Sequence, residues 1–371
     1  MIESMREEIL LTIIIILGCF LTFYPHLNYP YPIHVDEWFH ISEAKMMASE
    51  QDIDWYSGKP FRLGMERGWH LTLSFFQLIF KLDPKEWIFV PLIIHSISII
   101  VIFVFVSKLL GKTQGLIAAF LTAIIPSNLT IGGPIFLVPV NLSMIFIPFS
   151  LLMAFNLFGI KNKLNYLLLS VSLTYLLYSH PPSAMALLLI LGFYLILSLL
   201  KGDPNSKFLL ISILVSLILS IPNYVQEIKN KGIESVKFNF WITLRGIPTL
   251  YGYIPTFFFL VGSYSLSQKN RKEFLSIIFS VFFLIINLAL FANFKINYLI
   301  PYQRVYMPLF ILMNVITSAG FVKILEMKPK KFGLIILIVL LGITAYFSIK
   351  DKINTPLYHL IDGKDYDNFV W

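Results

Sequence analysis

Charge is what this sequence has least of. Only 13% of its 371 residues are Asp, Glu, Lys or Arg, against 57% hydrophobic and 16% aromatic, and mean hydropathy is +0.76. A soluble domain carries about 25% charged residues, so a soluble globular protein is excluded. Cysteine is nearly absent: Cys19 stands alone, which rules out an intramolecular disulfide and leaves redox compartment undetermined. No repeat, low-complexity stretch or soluble domain is visible. The net charge of +8 is no sign of nucleic-acid binding, because the lysines fall between apolar runs, where membrane orientation accounts for them. Marks of a cleavable signal are also missing. Glu7 and Glu8 precede the first apolar run, and no small-residue cleavage site follows it before "YPHLNYP".

What the chain has is long apolar runs, several near the roughly 20 residues that cross a ~30 Å hydrocarbon core. Eleven spans are expected, at about 9–24, 87–107, 114–126, 136–158, 164–179, 183–200, 207–222, 248–266, 274–293, 304–325 and 332–349. Between them, "SKLLGKTQ", "GIKNKLN", "KGDPNSK", "SQKNRKE" and "EMKPKKF" all fall on one side and all carry Lys or Arg. The positive-inside rule makes that side, and the N-terminus, cytoplasmic. Residues 25–86, "SHPP", the 223–247 segment and "NFKINYLIPYQ" then lie outside. The apolar core of "RGWHLTLSFFQLIFKLD", about 69–82, is too short to span, and counting it would invert the lysine pattern. It is expected to be an interfacial or re-entrant helix. The chain thus reads as one all-α integral membrane domain over 1–371, with long polar excursions only at 25–86 and 223–247.

The first excursion gathers the chemistry, in "YPIHVDEWFHISEAKMMASEQDIDW" at 31–55. Pro25, Pro30 and Pro32 bar continuation of the first helix. A new helix starting near Asp36 puts Asp36, His40 and Glu43 at i, i+4 and i+7, on one face, with Trp38, Phe39 and Ile41 as apolar support. Asp36 reads either as an N-cap or as an acid aimed into a cleft, and the two are compatible. His40 by itself reads as structural before it reads as a metal ligand. His70, opening the interfacial helix, either approaches the same place or is a solvated loop residue.

The order of a first span, "VDEWFH", a short "GWHLTLSFFQLIFKL" and a long span ending in "SKLLGK" resembles the N-terminal half of the GT-C membrane glycosyltransferases. Residues 1–200 carry this resemblance, and "YSHPPSAMALLL" and "PYQRVYMPLFILMNVITSAG" are similar to later GT-C segments. The superfamily includes oligosaccharyltransferases, protein mannosyltransferases and lipid-A aminoarabinose transferases. The resemblance implies a polytopic bundle of about eleven transmembrane helices with juxtamembrane helices in the first external loop. It implies a lipid-linked sugar donor, polyprenyl phosphate or pyrophosphate, and transfer at the extracytoplasmic face to an acceptor that is not identified. Asp36 matches the early acid that activates the acceptor or holds a metal that does so, and Glu37 is its adjacent reserve. The departing phosphate calls for a guanidinium. Arg304, at the outer end of a span, fits that role unless it merely snorkels, and Arg245 is second. His180, His70 and His40 join them as candidates for donor phosphate or sugar, with a helix stop as the other reading of His180.

Two features depart from the family pattern. The loop "IIPSNLTIGGPIFLVPVNL" has no Asp or Glu where many GT-C enzymes carry a second acidic motif, which puts a divalent metal in doubt. No large soluble C-terminal domain of the oligosaccharyltransferase kind is visible, which argues against a complete peptide-reading enzyme. Two rival readings remain: a lipid or sugar transporter or flippase, whose polar residues belong near midplane, and a non-catalytic GT-C-like subunit.

Overall fold

The structure, a computed structural model, describes residues 2–27, 29–50, 66–127, 132–157, 159, 162–230, 246–294, 300, 302–326 and 329–353. Among them are fourteen α-helices and no strand. They are α1 (Ile2–Phe23), α2 (Val35–Glu50), α3 (Arg67–Phe80), α4 (Phe89–Leu109), α5 (Lys112–Ala123), α6 (Ser143–Ala154) and α7 (Asn162–Ser179), then α8 (Pro181–Leu200), α9 (Ser206–Asn230), α10 (Gly246–Tyr251), α11 (Tyr253–Ser267), α12 (Lys272–Phe294), α13 (Tyr302–Leu325) and α14 (Lys330–Ile353). Arg245, most of the 223–247 excursion and residues 354–371 lie outside the described residues.

Each of the eleven apolar stretches contains one of these helices. Seven helical segments are long and apolar enough to cross a membrane, those of α1, α4, α8, α9, α12, α13 and α14, so this is a multi-pass membrane protein. α5 and α6 have 12 residues each and α11 has 15, about 18 and 22 Å at 1.5 Å per residue, short of the ~30 Å core. One stretch differs from expectation. The span read at 248–266 is broken in two by Gly252, whose φ of 102° no side-chain-bearing residue adopts without strain. α9 also runs past Pro222 to Asn230, into the second excursion.

Burial sorts the helices into an axis and a shell. The apolar window of α13 is 89% buried, against 22% for α1 and 17% for α14. α13 packs on α5, α6, α8, α11, α12 and α14. Its crossing with α11 depends on two glycines: a Cβ on Gly262 would overlap the Ile316 carbonyl, and one on Gly320 the Phe258 carbonyl. Small residues at such a contact let backbones approach where apolar burial gives no drive. Between α7 and α9, Ser212 donates to the Tyr166 carbonyl at 3.0 Å and Ser216 to the Ser170 carbonyl at 3.1 Å. The outer faces of α1, α9 and α14 expose Ile13, Ile16, Ile211, Ile218, Ile335 and Ile338, a surface suited to lipid and costly in water.

The short lysine-bearing turns gather at one end. Lys272 pairs with Asp203, and Lys201 donates to the Asn270 carbonyl at 2.6 Å, joining the α8–α9 turn to the α11–α12 turn. Lys112 reaches Glu7 at 2.5 Å. α2 and α3 cover the opposite end. As its length predicts, α3 is too short to span, at 14 residues. It buries Trp69, His70, Leu73 and Ser74 against α2 and α7 and turns Phe75, Leu78 and Ile79 outward.

Candidate functional site

The first turn of α2 assigns different jobs to its two acids. His34 begins the helix: its carbonyl accepts the Glu37 amide at 3.0 Å, and its Nδ1 accepts the Asp36 amide at 3.1 Å. Glu37 Oε2 reaches back to the amides of Ile33 and His34, at 2.8 and 2.7 Å, the reciprocal half of a capping box. Its other oxygen accepts the amide of Leu137 at 2.8 Å, 100 residues along the chain. Glu37 therefore fastens α2 to the segment entering α6. Burial pushes its pKa up to about 7, against the pull of the Leu137, His34 and Ile33 amides. The cap that one of the two readings gave to Asp36 is made by His34 and Glu37. The Asp36 side chain is 51% exposed and lies 3.6 Å from His34 Nδ1.

One helical turn further, His40 is buried, and its Nδ1 shares a 2.9 Å hydrogen bond with His70 Nε2 across the α2–α3 contact. His40 Nε2 lies 3.8 Å from the Oε2 of Glu66, at the start of α3. Phe39 sets its ring edge against both imidazoles, and Trp69 packs on His40. Burial lowers His70 to about 4. It also holds His40 well below its ordinary value, reinforced by His70, Arg304, His180 and His34. Glu66 is raised to about 7 by burial, with Arg304 opposing and Asp36 adding to the rise.

His180 caps α8. Its Nδ1 accepts the Ser183 amide at 3.3 Å and lies 2.6 Å from the Ser183 hydroxyl, with Pro181 in the first helical position. It is fully buried, not a solvated imidazole at a helix stop. Arg304 stands half-buried in the first turn of α13, the most enclosed helix, and its charge acts on His40, Glu66 and His180 alike. Electrostatics and contacts thus bring Asp36, His40, His70, His180 and Arg304 into one neighbourhood, drawn from four stretches of chain. Glu66 joins them without having been singled out from the sequence, although its i, i+4 relation to His70 was there to see. Cavities of about 680 Å³ between α2 and α3 and about 380 Å³ beside α10, α11 and α14 are lined by none of these residues.

Among the described residues, no three His, Cys, Asp or Glu side chains are arranged to hold a metal ion. Glu37 has both oxygens on amides, and the 124–142 loop supplies no acid. Among the described residues, these donors do not fit a divalent ion.

The fold is that of the GT-C membrane glycosyltransferases. The chain superposes on an archaeal oligosaccharyltransferase, AglB from Archaeoglobus fulgidus in complex with an inhibitory peptide and a dolichol-phosphate, with a TM-score of 0.67 at 12% identity. That match covers 100% of this chain and 60% of AglB. It is also similar to ArnT from Cupriavidus metallidurans in the apo state, with a TM-score of 0.60 at 12% identity, over 95% of this chain and 76% of that one. No protein-family model matches the sequence, and no curated protein matches it.

Proposed function

We propose that this protein is a membrane glycosyltransferase that moves a sugar from a polyprenyl-phosphate-linked donor to an acceptor at the extracytoplasmic face. The observation that carries this reading is the meeting of Asp36 and Arg304 with buried imidazoles at the lysine-poor end of the bundle. The dolichol-phosphate bound in the AglB structure supports the donor class. Asp36 takes the proton of the acceptor nucleophile as it attacks the anomeric carbon. The bond from that carbon to phosphate oxygen breaks, and Arg304 meets the charge that develops on the departing phosphate. All eleven apolar stretches cross the membrane in this reading, the short helices α5, α6 and α11 together with their flanking residues, and the lysine-bearing turns lie in the cytoplasm. Labelling of single cysteines at Asp83 and Lys330, in a Cys19→Ser chain, checks that orientation: position 83 reacts from outside and position 330 only once the inner face is opened.

The polar cluster at one end, away from midplane, favours an enzyme over a transporter. Donor binding and turnover of Arg304 variants in nanodiscs test the proposal. Arg304→Lys keeps the charge but loses the planar fork, so it is impaired, and Arg304→Ala is worse. A snorkelling anchor would accept lysine without loss. Equal binding and turnover in Arg304→Lys would move the phosphate site elsewhere. A chain that binds donor without any transfer would be the non-catalytic subunit.

A further inference from the structure

Past the His40–His70 bond, α2 and α3 continue side by side, and between their C-terminal halves lies the cavity of about 680 Å³. Ser42, Lys45 and Met46 line it from α2, and Leu78, Lys81 and Asp83 from α3 and the turn that follows. Lys81 comes 11 residues after His70, roughly 16 Å along the helix axis at 1.5 Å per residue. This cavity is therefore separate from the cluster around Arg304.

Its setting is the membrane surface. α3 is too short to span and turns Phe75, Leu78, Ile79 and Phe80 outward, each more than half exposed. Such a face on an interfacial helix is solvated by acyl chains, not by water. Leu78 belongs both to that face and to the cavity wall, so the cavity borders the level at which lipid chains give way to headgroups. Two ammonium groups stand there. Lys81 is exposed, and Lys45 is half-buried in the opposite wall. Burial lowers the pKa of Lys45, with Asp83 opposing. Asp83 itself lines the cavity, which leaves one net positive charge between the three groups. A lysine that merely snorkels carries its ammonium out to water. Lys45 instead gives up part of its hydration inside a cavity wall, and an anion beside it offsets that loss.

We propose that this cavity is a site for a bilayer lipid with an anionic phosphodiester headgroup, the phosphate lying between Lys45 and Lys81 and the acyl chains along Phe75, Leu78 and Ile79. Charge complementarity sets the headgroup, and the continuity of the cavity with the lipid-facing side of α3 sets the lipid. A soluble phosphate would use the first feature and gain nothing from the second. A zwitterionic lipid would use the second and bring its own cation against the lysines. The site stands apart from the donor chemistry above, and failure of either leaves the other untouched. Its consequence follows from the helices it joins. α2 carries Asp36 and His40, α3 carries His70, and a lipid bound across both holds their far ends together.

Binding is measured on the delipidated chain in neutral detergent, by native mass spectrometry and by Tm, with phosphatidylglycerol, phosphatidylcholine and glycerol 3-phosphate. Phosphatidylglycerol is expected to bind and to raise Tm, as any ligand of the folded state does. Phosphatidylcholine is expected to bind more weakly. Glycerol 3-phosphate, which has the phosphate without the chains, is expected to give no shift at the same concentration. Lys45→Gln and Lys81→Gln should each weaken phosphatidylglycerol about fivefold, the weight of one lysine at an anionic lipid surface, with the lipid-free Tm unchanged. Lys85 is the control: it lies over the Tyr31 ring at 5.4 Å, at the same end of the molecule, and does not line the cavity. Lys85→Gln should bind phosphatidylglycerol like the parent. An equal loss in Lys85→Gln would mean attraction to the surface as a whole and overturns the site, as does parent-like binding by both cavity variants. Equal binding of phosphatidylcholine overturns the anionic headgroup. A shift with glycerol 3-phosphate that matches phosphatidylglycerol overturns the lipid.

Discussion

At the lysine-rich end, several charged side chains have partners close to water. Lys272 meets Asp203, Lys201 meets the Asn270 carbonyl, and Lys323 meets Glu326 at 2.8 Å. At the opposite end, Glu37, His40, Glu66 and His70 are crowded into a poorly solvated cluster, and two imidazole nitrogens are left without partners among the described residues. The first end shows what turns need when they have only to join helices and stay in water. Its ion pairs are worth little, and their loss is expected to be tolerated. The second end accepts desolvation that folding alone would not favour. On the proposed reading, the crowding of such groups at one end, with an arginine on the most buried helix, serves the binding of the donor.

The sharpest way to break this comparison is at Asp36. Asp36→Asn should reduce transfer about 10²–10⁴-fold, the usual cost of losing a general base, while its Tm stays near the parent's, because His34 and Glu37 make the cap. Near-normal turnover would remove Asp36 from the mechanism. Next in size is an effect of pH. The folded pKa of His70, about 4, lies below the ordinary 6.5, so between those values the unfolded chain binds a proton that the folded chain refuses. That contribution to stability is whole above about 6.5 and is lost as pH falls toward 4, up to about 3 kcal/mol. Glu37 and Glu66, raised to about 7, act in the opposite sense, so the parent's own melting curve mixes the terms. The difference from His70→Gln isolates one of them: the parent should lose ground to this variant as pH is lowered from 6.5 to 4. A constant difference would mean that His70 titrates normally.

Glu37→Gln is expected to do the reverse of Asp36→Asn. Its new NH₂ group opposes one of three amide donors, so it should cost roughly 1–3 kcal/mol of stability, with activity falling only as far as the fold loosens. Denaturation in detergent, followed by near-UV CD, would measure this, and an unchanged midpoint would mean that the Leu137 tether carries no weight. The smallest effect is expected at the other end. Asp203→Asn should cost no more than about 1 kcal/mol and leave transfer intact. A large loss of transfer there would show that the two ends are coupled.

The sequence made the helices legible because uninterrupted apolar runs with lysines between them have few other uses in a membrane protein. It made α3 legible through its length and located the chemistry in the first excursion. Four things were not legible, each for a physical reason. The central place of α13 was not read, because its buried Asn314, Thr317 and Ser318 mark an enclosed helix only once their partners, such as Tyr251, are known. The role of Glu37 depends on an amide 100 residues away, and nothing in "VDEW" separates it from Asp36. The pairing of His40 with His70 spans 30 residues, across a stretch whose course no periodicity predicts. The break at Gly252 was hidden because the apolar residues continue through it.

The tether from Glu37 to Leu137 and the late position of Arg304 also set a timetable for biogenesis. As the chain is threaded into the bilayer from its N-terminus, Glu37, the His40 and His70 imidazoles and the Leu137 amide have all been made before half the protein. Arg304 arrives only with the thirteenth helix. Until then the carboxylate and imidazole cluster lacks the guanidinium whose charge opposes the rise of Glu66. On the proposed reading, the site can hold a phosphate only once α13 has joined its neighbours, so it is completed late in synthesis.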